Sequence, residues 1–133
     1  MVFKMAVNSI KMLISEENLI QNIKYLEKKY AKKILPVLKA NAYGHSIEMV
    51  SEILYDNGYR EFAVARLNEA EKILQNKKVT DSRILVFESI GREFFDVVKS
   101  NNTIEVSANT LAELKEFIEN GISPDRIQLK IDF

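Results

Sequence analysis

The sequence lacks cysteine entirely, has a single histidine, and contains no long apolar run. Without cysteine the chain can form neither disulfides nor thiolate metal sites. One histidine, His45, argues against a histidine-rich zinc site, so no metal is expected. No apolar stretch approaches the ~20 residues of a membrane-spanning helix, and residues 1–13 lack the apolar core of a signal peptide. We therefore expect a cytoplasmic protein that does not contact a membrane.

An excess of charge of either sign is also absent, since 19 Lys and Arg residues balance 19 Asp and Glu residues. No overall field would attract nucleic acid, and no aromatic–basic pattern typical of RNA binding is present. The glycine motifs G-x-x-x-x-G-K-[ST] and G-x-G-x-x-G are missing as well. With 133 residues, of which 47% are hydrophobic, the composition predicts one domain with its own core.

Segments with strand and helix patterns alternate from residue 34 onward. Short apolar runs predict strands at residues 34–38, 61–65, 83–87, 103–107 and 127–131. Helices are predicted between them, with Ser46 and Thr110 as N-caps. An earlier helix is predicted to begin after Ser15, and residues 1–14 have the alternation of a strand. Strand starts about 20 to 27 residues apart are typical of parallel βα units.

Two architectures accommodate five parallel strands in a chain of this length. An open doubly wound sheet fits, whereas a closed eight-stranded barrel needs about 250 residues. The chain could instead hold the first five βα units of such a barrel. The residue pattern alone leaves both architectures open.

Lys39 stands where the predicted strand at residues 34–38 ends. Strands covered on both faces are continuous apolar runs, and a lysine is rarely buried without a partner. In a parallel barrel, however, the carboxyl ends of the strands carry the active site. A lysine in a partly dry site there can attack a carbonyl to form a Schiff base. Judged by spacing alone, the alternative is a lysine that extends to solvent from a strand end.

Residues 37–45, V-L-K-A-N-A-Y-G-H, resemble the cofactor-lysine motif of the alanine racemase family, which usually reads V-K-A-[ND]-A-Y-G-H-G. The match ends at Ser46, where the family usually has glycine. Residues 62–70 are similar to the family pattern G-V-A-x-x-x-E-A. Residues 127–132, I-Q-L-K-I-D, are similar to H-L-K-[IM]-D-T-G-M-G-R, with Phe133 in place of the threonine. Together these similarities cover nearly the whole chain.

The resemblance implies a fold and an activity. The fold would be α/β, about five βα units of a truncated (β/α)8 TIM barrel, with residues 1–133 forming one partial domain without the family's C-terminal β domain. The activity would be interconversion of L-alanine and D-alanine through a pyridoxal 5'-phosphate Schiff base, supplying D-alanine for peptidoglycan. The family also implies a homodimer whose partner subunit provides the second base, so the 133 residues alone are expected to be inactive.

The resemblance further assigns roles to three side chains. Lys39 would bind the cofactor covalently and act as a base on one face of the substrate α carbon. Tyr43 would lie beside the cofactor and contact its phosphate. Lys130 would match a lysine that carries a carbamate in many family members, and we expect it to face the barrel interior together with Gln128.

Five other residues are interpreted as structural. Gly44 is expected to permit a tight turn, Asn41 to brace its own loop, and His45 to brace the loop or support a ligand-binding residue. Glu69, like Glu71, is expected to be a carboxylate on a helix surface.

Two other functions stay open, a non-catalytic pyridoxal-phosphate-binding barrel protein and a related barrel decarboxylase. The A-N-A-Y-G-H continuation after Lys39 favours the racemase.

Overall fold

A computed structural model describes residues 2–7 and 10–131, with only the backbone for residues 2–7, 10 and 11. The chain begins with an antiparallel hairpin of β1 (Val2–Val7) and β2 (Ile10–Ser15). Helix α1 (Glu16–Tyr30) follows directly, and the Ser15 hydroxyl accepts a hydrogen bond from the Asn18 N–H at 3.2 Å. The predicted N-cap at Ser15 is confirmed, and the predicted strand before it is a hairpin of two strands.

Parallel strands and helices alternate through the remainder of the chain. The four strands lie side by side in the order of the sequence, each parallel to the next. Two 3-10 turns, Arg92–Phe94 and Pro124–Arg126, precede the fifth helix and the last strand. The elements are α2 (Lys39–Tyr43), α3 (Ile47–Asp56), β3 (Glu61–Val64), α4 (Leu67–Leu74), β4 (Arg83–Val86), α5 (Phe95–Ser100), β5 (Ile104–Ala108), α6 (Leu111–Glu119) and β6 (Ile127–Leu129). The predicted α/β class with parallel βα units is confirmed.

The predicted strand at residues 34–38 is reduced to a single bridging residue. Val37 pairs in parallel with Ala63, beside β3. Pro36 has no N–H to donate, and only its carbonyl takes part, accepting from the Ala63 N–H at 2.9 Å. The Leu38 N–H then donates to the Ala63 carbonyl at 2.7 Å. The prediction was right about the position of this strand and wrong about its length, because proline interrupts the ladder.

The face of the sheet that packs against the helices carries the hydrophobic core. The strand register places Phe62, Ile84 and Ile104 in one row across the sheet. A second row has Val64, Val86, Val106 and Ile127. All seven side chains are buried. Because each such side chain contributes about 1.5–3 kcal/mol on burial, these rows fix the strands on which the candidate site is built.

The opposite face of the sheet, called the inner face here, includes Leu85, Glu105 and Gln128 and is partly polar. Arg83 forms an ion pair with Glu105, and Gln128 Nε2 donates to Glu105 Oε2 at 3.0 Å. These side chains line a cavity of about 250 Å³. The contact with Glu105 confirms that Gln128 points away from the helices, as predicted.

The last strand shows a departure from the predicted pattern. Ile127 is buried in the core, whereas Leu129 and Ile131 are 61% and 66% exposed. Within residues 2–7 and 10–131, no helix follows β6 to cover that end of the strand. The apolar face expected on residues 127–131 is therefore buried only at its start.

A buried arginine ties α5 to β5. Arg126 is 9% exposed, and its Nη2 donates to the carbonyls of Val98 at 2.6 Å, Asn101 at 2.8 Å and Ile104 at 2.7 Å. Burial lowers the pKa of its guanidinium. The Val98 and Asn101 carbonyls also accept from the N–H groups of Asn101 and Ile104, at 3.3 and 3.1 Å. Arg126 therefore adds a second donor to these two carbonyls and supplies a charged donor to the buried Ile104 carbonyl.

Candidate functional site

Lys39 lies at the carboxyl end of the strand position held by Val37. The loops that follow β3, β4 and β5 leave the sheet on this same side. We call this side, where the carboxyl ends of the parallel strands lie, the carboxyl edge. The backbone before Lys39 is fixed by the bonds that Pro36 and Leu38 make with Ala63, and Lys39 itself is partly buried. The structure therefore places the lysine at the edge where parallel barrels carry their sites.

The four residues after Lys39 form a left-handed turn. Their φ angles are 52°, 56°, 53° and 54° at Ala40, Asn41, Ala42 and Tyr43. The Ala42 N–H donates to the Leu38 carbonyl at 2.9 Å. In this conformation Cβ crowds the next carbonyl oxygen, at about 1–2 kcal/mol per residue that is not glycine. Backbone strain of this kind persists only where the surroundings hold it, and it is concentrated at functional sites.

The turn separates an exposed phenol from a buried methyl group. Tyr43 is 63% exposed, whereas Ala42 is 6% exposed and packs in the core cluster. Gly44, with φ 85°, ends the turn, and its N–H donates to the Ala40 carbonyl at 3.1 Å. The predicted role of Gly44 is confirmed. Tyr43 is thereby presented at the carboxyl edge four residues after Lys39.

Two side chains fasten the turn to its surroundings. His45 Nδ1 lies 2.9 Å from the Ala42 carbonyl oxygen, so it donates there and braces the loop, one of its two predicted roles. Asn41 Oδ1 accepts from the Ile47 N–H at 3.0 Å. Asn41 therefore joins the loop to the first turn of α3. The sequence had indicated a bond within the loop alone.

Ser46 caps α3 as predicted, but in a conformation that suits glycine. Its hydroxyl accepts from the Met49 N–H at 3.4 Å. Its backbone has φ 71° and ψ 108°, a region that side chains with Cβ avoid. This explains physically why glycine is usual at the matching position of the motif.

Glu69, interpreted from sequence as a helix-surface carboxylate, makes contacts of another kind. Its Oε2 accepts from the N–H groups of Ala65 and Arg66, at 3.0 and 3.1 Å. Its Oε1 accepts from the Ala40 N–H at 2.6 Å. The earlier interpretation was wrong, because this partly buried side chain joins the loop after β3 to the turn after Lys39. The only local signal was its place three residues after the helix N-cap, Arg66.

A similar carboxylate lies two βα units further along the carboxyl edge. Glu113 Oε2 accepts from the Asn109 N–H at 2.6 Å, and Glu113 Oε1 accepts from the Ser89 hydroxyl at 2.7 Å. The Ser89 hydroxyl bond lowers the pKa of Glu113, against the opposing effect of burial. Between these two carboxylates, Arg66 forms an ion pair with Glu88. Neighbouring loops at this edge are thus bonded to one another.

Lys130 also lies at the carboxyl edge, after β6, the strand at the far end of the sheet from Lys39. Strand β6 ends at Leu129, and the Lys130 N–H still donates to the Ala108 carbonyl at 2.9 Å. Asp132 and Phe133 lie outside the described residues. Lys39 and Lys130 follow the first and the last of the five strand positions, so β3, β4 and β5 lie between them in the sheet. The strand order therefore does not make the two lysines neighbours.

The described residues contain neither a metal-ligand cluster nor a membrane-spanning helix. In the part of the chain that the structure describes, no group of three or more His, Asp or Glu side chains could hold a metal ion. Over the same residues, no helix combines the length and apolar character needed to cross a bilayer.

A sheet of parallel βα units with a lysine at its carboxyl edge defines an α/β protein. The alanine racemase N-terminal domain family matches residues 14–133. The chain is 30% identical over 123 residues to the alanine racemase of Clostridium kluyveri, covering 90% of this chain and 31% of that protein. The crystal structure of alanine racemase from Oenococcus oeni superposes with a TM-score of 0.68 at 27% identity, over 78% of this chain and 28% of that one.

A histidine racemase from Leuconostoc mesenteroides shares the fold as well. Its TM-score is 0.70 at 23% identity, over 88% of this chain and 35% of that one. The chain belongs to the alanine racemase N-terminal domain family. It spans about a third of the length of the curated relatives that it matches. The family settles the choice between the two architectures, because the sheet is the N-terminal portion of a TIM barrel.

Proposed function

We propose that this chain provides the cofactor lysine of a pyridoxal-phosphate-dependent racemase that acts on alanine. The observation that carries the proposal is the placement of Lys39. Lys39 follows the first strand position, at the carboxyl edge, and directly precedes the left-handed turn that exposes Tyr43. The match of residues 37–45 to the family motif supports the same assignment.

The residues present fit pyridoxal 5'-phosphate. Its aldehyde needs an amine, and Lys39 supplies one from a partly buried position. Its phosphate needs hydrogen-bond donors, and the exposed Tyr43 hydroxyl is one. When bound, the cofactor supplies the electron sink that makes removal of an α proton feasible. Lys39 Nζ would take or return that proton on one face of the substrate, and Tyr43 Oη would hold the phosphate.

Several finer assignments belong to this proposal. Alanine as the substrate rests on the names of the sequence relatives, since the histidine racemase has a similar fold. A role in supplying D-alanine for peptidoglycan, a cytoplasmic location and a homodimeric whole enzyme follow from the family resemblance. The carbamate on Lys130 and a second base from the partner subunit belong to the same proposal.

Reductive labelling tests the lysine. The 133-residue chain is incubated with pyridoxal phosphate and reduced with borohydride, and the labelled peptide is mapped by mass spectrometry. We expect the label on Lys39 at cofactor concentrations that leave exposed lysines such as Lys77 unlabelled. Lys39→Arg should abolish it, since guanidinium cannot replace the amine. Preferential labelling of Lys130 or another lysine would contradict the proposal.

Assay of the whole enzyme separates racemase from the two other functions. With the intact protein that contains this chain, we expect D-alanine to form from L-alanine and the reverse, and both reactions to be lost in Lys39→Ala. Labelling of Lys39 without turnover would indicate a non-catalytic binding protein, and release of carbon dioxide would indicate a decarboxylase.

A further inference from the structure

The Ala40 N–H, one residue after Lys39, donates to a carboxylate that is far away in the sequence. The acceptor is Glu69 Oε1, at 2.6 Å and 29 residues downstream. The other oxygen of this carboxylate is held by the N–H groups of Ala65 and Arg66. One partly buried side chain therefore links the Lys39 turn to the start of α4.

Among the described residues, this contact is the only hydrogen bond between the backbone of residues 39–43 and a side chain distant in the sequence. The Ala40 and Ala42 side chains have no polar atoms, and the Asn41 amide is bonded to Ile47. The left-handed turn has an unfavourable backbone conformation, so bonds from outside it are needed to hold it. Glu69 supplies such a bond at the residue next to the lysine.

Glu113 offers an internal comparison. It stands at the same position of α6 as Glu69 in α4, three residues after the N-cap, and it also joins two neighbouring loops. Its second oxygen bonds to Ser89, in the loop after β4, which is remote from Lys39 in the strand order. The two carboxylates thus share the capping function and differ in the loop that they hold.

We infer that Glu69 is a positioning residue for Lys39, acting through the Ala40 N–H. The inference rests on the proposed function, in which Lys39 is the cofactor lysine. Glu69 does not contact the reacting atoms in this account. It fixes the backbone from which the lysine side chain extends, and so fixes where the amine can meet the aldehyde.

The test compares Glu69→Gln with the matched control Glu113→Gln. Amide hydrogen exchange, measured by NMR, reports on the Ala40 N–H without any cofactor. Glutamine has one acceptor oxygen where glutamate has two, and we expect it to remain with the two N–H groups of Ala65 and Arg66. Loss of the bond to the Ala40 N–H should then speed exchange there by about tenfold or more in Glu69→Gln. Labelling of Lys39 by pyridoxal phosphate, relative to labelling of Lys77, should fall by about tenfold because the amine is no longer held in place. Glu113→Gln should change neither quantity.

A second variant separates the effect of side-chain length from the effect of side-chain charge at residue 69. Glu69→Asp retains the carboxylate and shortens the side chain by one methylene, so it cannot bond to both loops. We expect it to behave like Glu69→Gln in both measurements, and it carries the test alone if Glu69→Gln does not fold. Normal exchange at Ala40 in the Glu69 variants, or equal changes in Glu113→Gln, would overturn the inference. So would full recovery in Glu69→Asp. Failure of the unsubstituted chain to label at Lys39 would instead contradict the proposed function.

Discussion

Replacement of Ala40 by glycine should be less costly than the same replacement in an ordinary helix. Ala40 is exposed and has φ 52° in the left-handed turn. Ala112 is exposed in the first turn of the right-handed helix α6. Both substitutions, Ala40→Gly and Ala112→Gly, add the same conformational freedom to the unfolded chain. The difference between their effects therefore reports on the folded backbone alone.

The expected difference follows from the two conformations. In a right-handed helix, glycine lowers the free energy of unfolding by about 1 kcal/mol relative to alanine. In the left-handed region, glycine removes a steric cost of about 1–2 kcal/mol. Ala40→Gly should thus be neutral or stabilising by up to about 1 kcal/mol, with a gap of about 1–2 kcal/mol between the two variants.

Urea denaturation measures the gap. With a slope of about 1–3 kcal/mol per molar urea, the midpoints of the two variants should differ by about 0.3–2 M. The slopes themselves should agree, since an altered slope would indicate a change in the unfolded state. Equal losses of stability in both variants would refute the left-handed assignment of residue 40 and the strain argument built on it.

Two further predictions concern the framework of the site. Arg126→Met should lower the free energy of unfolding by about 1–3 kcal/mol, because the buried Ile104 carbonyl loses its charged donor, whereas the Val98 carbonyl keeps its bond from the Asn101 N–H. Urea unfolding measures this change, and a loss below about 1 kcal/mol would contradict it. Because the Ser89 bond lowers the pKa of Glu113, this carboxylate stabilises the fold above its unfolded pKa of about 4.3. That stabilisation should decline as the pH falls through the folded pKa, and the slope of stability against pH should be smaller in Glu113→Gln.

Elements whose signals are local were predictable from the sequence. Ser15, Ser46 and Thr110 identified three helix starts, because their hydroxyls accept from N–H groups three residues on. Apolar runs located the parallel strands, because the strand side chains that face the helices are apolar and buried. The shortened strand at Val37 followed from Pro36, whose missing N–H removes one hydrogen bond from the ladder.

The parts of the site that sequence reasoning missed depend on contacts between distant residues. The position of Lys39 after a strand end was predicted correctly, because the apolar run before it ends there. The left-handed turn was not predicted, since alanine and tyrosine give no local sign of positive φ. Glu69 was misinterpreted because its partner, Ala40, is 29 residues away. Arg126 was overlooked because nothing near it in the sequence shows that three carbonyls surround it.

Because the order of strands in the sheet equals their order in the chain, each strand pairs with a segment that has already been synthesised. Chains emerge from the ribosome at about 5–20 residues per second. With strands about 20 to 27 residues apart, a new βα unit therefore becomes available every one to five seconds or so. The turn after Lys39 emerges before α4, and the carboxylate that holds Ala40 follows 29 residues later. During synthesis the cofactor lysine proposed here is therefore exposed first and fixed in place only when the second helix of the repeat has docked.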